Sequence, residues 1–180
     1  MFLVVRTLVY ASLFVGFLLI YLPARVLARS GIHRPAVVGA WQMVGWVIGT
    51  LGALLALACV ASFIRFGRGT PAPFDAPRQL VVRGPYRFVR NPMYTGAALV
   101  LGGAALFYDS IDLLIYGGAF IAFFHLFVIF YEEPTLRRKF GAEYEAYCHS
   151  VRRWWPVVRP WKPQIPAVTR LGGAAPPNRK

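Results

Sequence analysis

Apolar residues in this chain fall in long blocks separated by short basic or Pro- and Gly-rich stretches. The first block, Phe2–Tyr21, is about 20 residues, enough for a helix to cross a hydrocarbon core of roughly 30 Å. The longest, Val37–Ile64, lies between Pro35 and Arg65. Its Gly45, Gly49 and Ala53 make a small-residue face that another helix can approach closely. Met93–Tyr108 is short and rich in Gly and Ala; its 16 residues at ~1.5 Å each reach roughly 24 Å. Asp109 to Asp112 is a turn, and Leu113–Tyr131 is a full-length block, so these two blocks pair as an antiparallel helical hairpin. From Thr135 to Arg153 the period changes. Leu136, Phe140, Tyr144, Tyr147 and Val151 recur at helical spacing, with Arg137, Arg138, Lys139, Glu143, Glu145, Arg152 and Arg153 on other faces. That pattern reads as an amphipathic helix at the interface, followed by a Trp154-Trp155 anchor.

The expected fold is therefore all-α: a polytopic membrane helix bundle of about four transmembrane helices plus a C-terminal amphipathic interfacial helix. Residues 1–66 hold the N-terminal transmembrane helices. Residues 67–155 form a core of loop, hairpin and amphipathic helix, and 156–180 a flexible Pro-rich tail. The loop 66–90 carries Arg65, Arg68, Arg78, Arg83, Arg87 and Arg90 at or near its ends against the lone acid Asp75. Within it Leu80-Val81-Val82 suggests a short extended piece that docks back on the bundle.

Composition agrees. The chain of 180 residues is 57% hydrophobic, with a mean hydropathy of +0.51, which leaves no room for a separate soluble catalytic domain. The net charge of +13 would point to nucleic acid in a soluble protein. Here the basic residues flank apolar blocks, so lipid headgroups and topology account for them and no nucleic-acid partner is expected. Cys59 sits in an apolar block and Cys148 in a polar one, too far apart in depth to pair. No metal-ligand spacing occurs, and no metal is expected. Arginine counts place the 66–90 loop and both termini in the cytoplasm and the 109–112 turn outside, although Arg25, Arg29 and Arg34 of the 23–35 connector then face outward. The N-terminal block reads as a retained span, and a bacterial inner membrane is the expected location.

Candidate chemistry lies at the two ends of the hairpin. Asn91 suits an N-cap and Pro92 the first helical position, so a helix begins there with unpaired N–H groups that can seat an anion; a plain helix start is the alternative. Glu132 and Glu133 stand where the next apolar block ends, and burial of such acids needs a reason unless they are ordinary interfacial carboxylates. Hairpin geometry brings the two ends together, a seat for a zwitterion with a carboxylate and an ammonium. His125, two helical turns before Glu132, lies on nearly the same helix face. It is either a proton acceptor or a hydrogen-bonding partner for a neighbouring helix.

The strings Gly84-Pro-Tyr-Arg-Phe-Val-Arg-Asn-Pro-Met-Tyr-Thr-Gly96, Tyr131-Glu-Glu-Pro-Thr-Leu136 and Phe140-Gly-Ala-Glu-Tyr-Glu-Ala-Tyr147 resemble those of the integral-membrane methyltransferases. That superfamily includes isoprenylcysteine carboxyl methyltransferase and phosphatidylethanolamine N-methyltransferase. The similarity spans roughly residues 78 to 155. It implies S-adenosylmethionine as cofactor, bound without a Rossmann domain. By position, Gln79, Leu80, Val81 and Tyr86 line it from the loop. Asn91, Pro92, Met93 and Tyr94 line it from the helix start, with Arg90 beside them, and Glu132 holds its ammonium. Glu133 and His125 are the candidate bases. Two departures bear on the acceptor. Asn91 stands where the superfamily often has histidine. Val128 stands where the isoprenylcysteine enzymes carry an arginine for the substrate carboxylate. A phospholipid amine or a small lipophilic N, O or S acceptor therefore ranks above a prenylcysteine. The rival reading is a non-catalytic helix-bundle subunit that keeps the scaffold.

Overall fold

The computed structural model describes residues 15–32, 35, 37–66, 80 and 82–161, and all regular structure among them is helical. A widely wound segment, Val15–Tyr21, runs into α1 (Leu22–Arg29). Then come α2 (Ala40–Phe66), a tight turn at Gly84–Arg87, α3 (Pro92–Phe107) and α4 (Ile111–Phe127). A second widely wound segment, Val128–Glu132, leads into α5 (Glu133–Ser150). Residues 2–14 of the first apolar block lie outside the described residues, as do 67–79, 81 and the tail from 162 onward.

Two of these helices are long and apolar enough to cross a membrane: α2, and the rod that starts at Ile111. The 27 residues of α2 make roughly 40 Å of helix. It is apolar all round, and Trp41, Leu51, Leu54 and Leu57 stay exposed, the pattern of a helix that meets lipid. α3 packs along it through glycine. A Cβ on Gly45 would lie 2.6 Å from the Gly103 carbonyl oxygen, and one on Gly52 would lie 2.6 Å from that of Gly96. No larger residue leaves room for so close a crossing. The small-residue face thus also takes in Gly52, while Ala53 lines the open groove between the two helices with Gly45 and Gly49. On its other side α3 meets α4 through Ala97, Leu101, Phe120 and Phe124, joined by Leu18 and Leu19 of the first segment.

The hairpin turn is as short as expected. Ser110 caps α4, its hydroxyl accepting the Leu113 N–H at 3.3 Å, and Asp112 complements the positive end of the helix. Ser30, just beyond α1, hydrogen-bonds Asp112, so the 23–35 connector and the 109–112 turn share one end of the bundle.

The structure departs from the expected break after Tyr131. The rod runs on through the glutamates, because the wide winding of Val128–Glu132 absorbs Pro134. Proline has no N–H to give the preceding turn, and one extra residue per turn relieves the clash of its ring; the Glu133 N–H reaches back to the Val128 carbonyl. The break comes instead at Gly141 (φ 49°, ψ −125°), a conformation open to glycine. The apolar crossing still ends at Tyr131, since charged residues begin at Glu132. Beyond the kink, Tyr144, Tyr147 and Val151 form a core with Val82, flanked by Leu80, Leu136 and Phe140. Thus Leu80 and Val82 dock on the bundle, and the apolar face of α5 is covered by protein. The helix stops at Ser150, short of Arg152 and Arg153. The segment after it is tied down as far as Trp161: Val157 N–H donates to Phe88 O (2.8 Å) and Trp161 N–H to Arg87 O (3.1 Å).

Candidate active site between the helix hairpin and the C-terminal strap

The chain enters α3 through a backbone that only a few residues allow. Gly84 has φ +57°, and a Cβ there would collide with the Ser62 hydroxyl of α2. The turn that follows lays Tyr86 against Phe63 edge-on, ring centroids 5.4 Å apart, and the Tyr147 hydroxyl donates to the Tyr86 carbonyl at 2.6 Å. Burial pushes the Tyr86 phenol well above its ordinary pKa, so it stays neutral.

Asn91 occupies the N-cap position, but its side chain does not cap. Its amide donates to the Arg153 carbonyl at 3.3 Å, while its own carbonyl accepts the Thr95 N–H and hydroxyl. Pro92 is buried in the first turn. One residue past Met93, the Tyr94 hydroxyl donates to Glu132 Oε2 at 3.2 Å, and its ring stacks on Phe124 with centroids 4.7 Å apart. The start of one helix and the end of the next therefore meet, as the hairpin spacing requires.

The two glutamates differ sharply. Glu133 is 3% exposed and ringed by arginines. Arg153 grips it with two nitrogens at 2.7 and 3.0 Å, Arg90 approaches to 3.3 Å and Arg137 to 3.8 Å. Burial pushes its carboxyl up, but the hydrogen bond from Arg153 and the three positive charges outweigh that and hold it below its ordinary value. A carboxylate so paired is a poor base. Its consequence is structural: it fixes Arg90, whose other partner is the Cys148 sulfur at 2.7 Å. The Nε of Arg90 is buried and has no hydrogen-bond partner among the described residues.

Two cavities flank the Tyr94–Glu132 pair. The first is lined by Leu80, Tyr86, Arg90, Asn91, Glu132 and Tyr144, among others. It encloses about 70 Å³, and its free space with the open mouth comes to about 520 Å³. The second, about 370 Å³, is lined by Tyr94, Phe120, Phe124, His125, Trp154 and Trp155, among others. His125 faces this second cavity, and its Nδ1 accepts the Trp154 indole N–H at 3.0 Å. With Nδ1 accepting, the neutral ring carries its hydrogen on Nε2. His125 and Glu133 thus line different cavities.

Of the residues expected at a cofactor site, the structure gathers Leu80, Tyr86, Arg90, Asn91 and Glu132 around one cavity, with Tyr94 bonded to Glu132. Pro92 and Met93 are in the same first turn but line neither cavity. Gln79 and Val81 lie outside the described residues. Arg153 and Trp154 were not foreseen as site residues. The first follows the last helical turn and the second read as a membrane anchor, and no spacing rule links either to residues 20 or 29 positions earlier.

A family model described as phospholipid methyltransferase matches residues 40–143, from the first turn of α2 into α5 just past the Gly141 kink. No curated protein and no solved structure matches the chain.

Proposed function

The chain belongs to the phospholipid methyltransferase family, and from that premise we propose an integral-membrane enzyme that moves a methyl group from S-adenosylmethionine to a lipid or lipophilic small molecule. The observation that carries the reading is the 3.2 Å bond between Tyr94 and Glu132, set between a polar cavity and an apolar one. The residues around the polar cavity fit the cofactor's ends. The buried Arg90 Nε lacks a partner among the described residues and suits a carboxylate. Glu132 suits an ammonium. Tyr86 and Tyr94 offer ring faces to adenine or to a sulfonium.

When bound, the cofactor supplies a methyl group already activated on sulfur, so the chain's own work is alignment and exclusion of water. In this reading Glu133 holds Arg90 in place, and His125, anchored by Trp154, shapes the acceptor side. The apolar block Phe2–Tyr21, α2, α3 and α4 make the four spans, and α5 covers the cytoplasmic mouth. Both termini and the cofactor side lie in the cytoplasm of a bacterial inner membrane.

One observation favours a second reading, a scaffold subunit without cofactor. The enclosed part of the polar cavity, about 70 Å³, has room for a few waters rather than a nucleoside, so the cofactor must occupy the open mouth. Incubation of the purified protein with methyl-labelled S-adenosylmethionine and a total lipid extract separates the two. Enzymatic activity puts label into an organic-soluble product. A folded protein that transfers none is the subunit.

A further inference from the structure

The second cavity has a chemistry of its own. None of its nine lining residues is a carboxylate, a lysine or an arginine. Its polar groups are few, and three of them are engaged: the Tyr94 hydroxyl donates to Glu132. The Thr95 hydroxyl donates to the Asn91 carbonyl at 3.1 Å, and the Trp154 indole N–H goes to His125. The nearby guanidinium groups of Arg90, Arg137 and Arg153 all converge on Glu133. At about 370 Å³ the space falls within the roughly 300–1,000 Å³ usual for small-molecule sites. Ile121 and Trp155, which line it, are 53% and 74% exposed.

Resting on the methyltransferase reading, we propose that this cavity is the acceptor subsite. It takes an uncharged lipophilic molecule whose reacting atom bears a hydrogen, a thiol or a phenolic hydroxyl, in preference to a zwitterionic phospholipid headgroup. A phosphate here would be desolvated with no cation among the lining residues to meet it. The aromatic lining tolerates an ammonium, so the amine of such a headgroup is not the obstacle; its phosphate is. A neutral X–H acceptor carries no phosphate to desolvate. Its X–H bond is exchanged for X–CH3, and the electron pair of the broken S–CH3 bond stays on sulfur. Its proton passes to the Tyr94 oxygen as Tyr94 gives its own to Glu132, the hydrogen bond already in place.

The full chain in detergent is titrated with 4-hexylphenol, with hexanethiol and with dihexanoylphosphatidylethanolamine, following tryptophan fluorescence. The same three compounds are then offered to methyl-labelled S-adenosylmethionine. Saturable quenching by the phenol or the thiol is expected, at least tenfold tighter than by the phospholipid, and label enters whichever of the two binds. Ile121→Trp and, independently, Ala98→Leu fill the cavity. Each is expected to weaken that binding at least tenfold while leaving S-adenosylmethionine binding, measured by calorimetry, unchanged. Phospholipid that binds as tightly as the neutral compounds, or label that goes to its amine, overturns the inference. So does neutral-ligand binding that neither filling variant disturbs. Failure of the wild-type chain to bind S-adenosylmethionine is a separate result and strikes the methyltransferase reading instead.

Discussion

Glu132 and Glu133 are neighbours in sequence with opposite fates, and the difference lies in what each one touches. Glu133 meets three guanidinium groups, Glu132 a tyrosine hydroxyl. Removing one partner from a buried ion network strands the rest, which typically costs about 3–5 kcal/mol. Glu133→Gln is therefore expected to lower the thermal midpoint in detergent strongly, and to loosen Arg90 with it. Because the folded Glu133 is held below its ordinary value, its contribution is present above the unfolded value near ~4.3 and is lost as pH falls through the folded one. Melting curves from pH 6 down to 3 should show the wild type losing stability faster than Glu133→Gln; parallel curves would mean the network carries no weight. The sequence marks both acids as out of place at the end of an apolar block. It does not say which is paired, because the arginine that decides it, Arg153, is reached only through the fold.

At the scale of helices, the α2–α3 contact is set by glycine. With backbone atoms 2.5–2.6 Å from where a Cβ would sit, Gly52→Leu or Gly103→Leu must push the helices apart. Either is expected to cost several kcal/mol and to yield little folded protein by size exclusion in detergent. Gly102→Ala is the control. Nothing lies within 4 Å of a Cβ there, so it should match or exceed the wild type by the roughly 0.5–1 kcal/mol that alanine gains in a helix. Equal behaviour of Gly52→Leu and Gly102→Ala would contradict the packing. The start of α3 at Pro92 and of α4 behind Ser110 could be read within a residue or two, because proline, glycine and cap residues act locally. The small-residue face was legible in Gly45 and Gly49, though not its extension to Gly52. The run through Pro134 and the break at Gly141 were not. Both depend on a wide helical turn and a left-handed glycine, for which hydrophobic period has no symbol.

For the whole molecule, the chain sorts its chemistry to one end. The α2 terminus near Phe63, the turn at Gly84–Arg87, the α3 start and residues 132–161 gather there, while Ser30 and Asp112 mark the other end. Single cysteines at the exposed Arg29 and Ser150, in a chain with Cys59 and Cys148 replaced by alanine, should label from opposite faces of a sealed membrane vesicle with an impermeant maleimide. Labelling of both from one side would break the proposed topology. Charge pattern is the ground for the proposed sidedness, and the pairing of Tyr94 with Glu132 follows from one trip down and back along a hairpin. The strap from Val151 to Trp161, which ties the loop to the acceptor side, has no such periodic signal. Its proline-rich composition reads as loose chain until its backbone hydrogen bonds to Arg87 and Phe88 are seen.

The proposed cofactor seat between the α3 start and Glu132 is tested most directly by calorimetry of the detergent-solubilised protein with S-adenosylmethionine, wild type against Glu132→Gln. A charge-assisted hydrogen bond of about 1.5–3 kcal/mol predicts saturable binding by the wild type, weakened roughly 10- to 150-fold in the variant. Equal affinity in the two proteins, or no binding heat from a folded wild type, would contradict it.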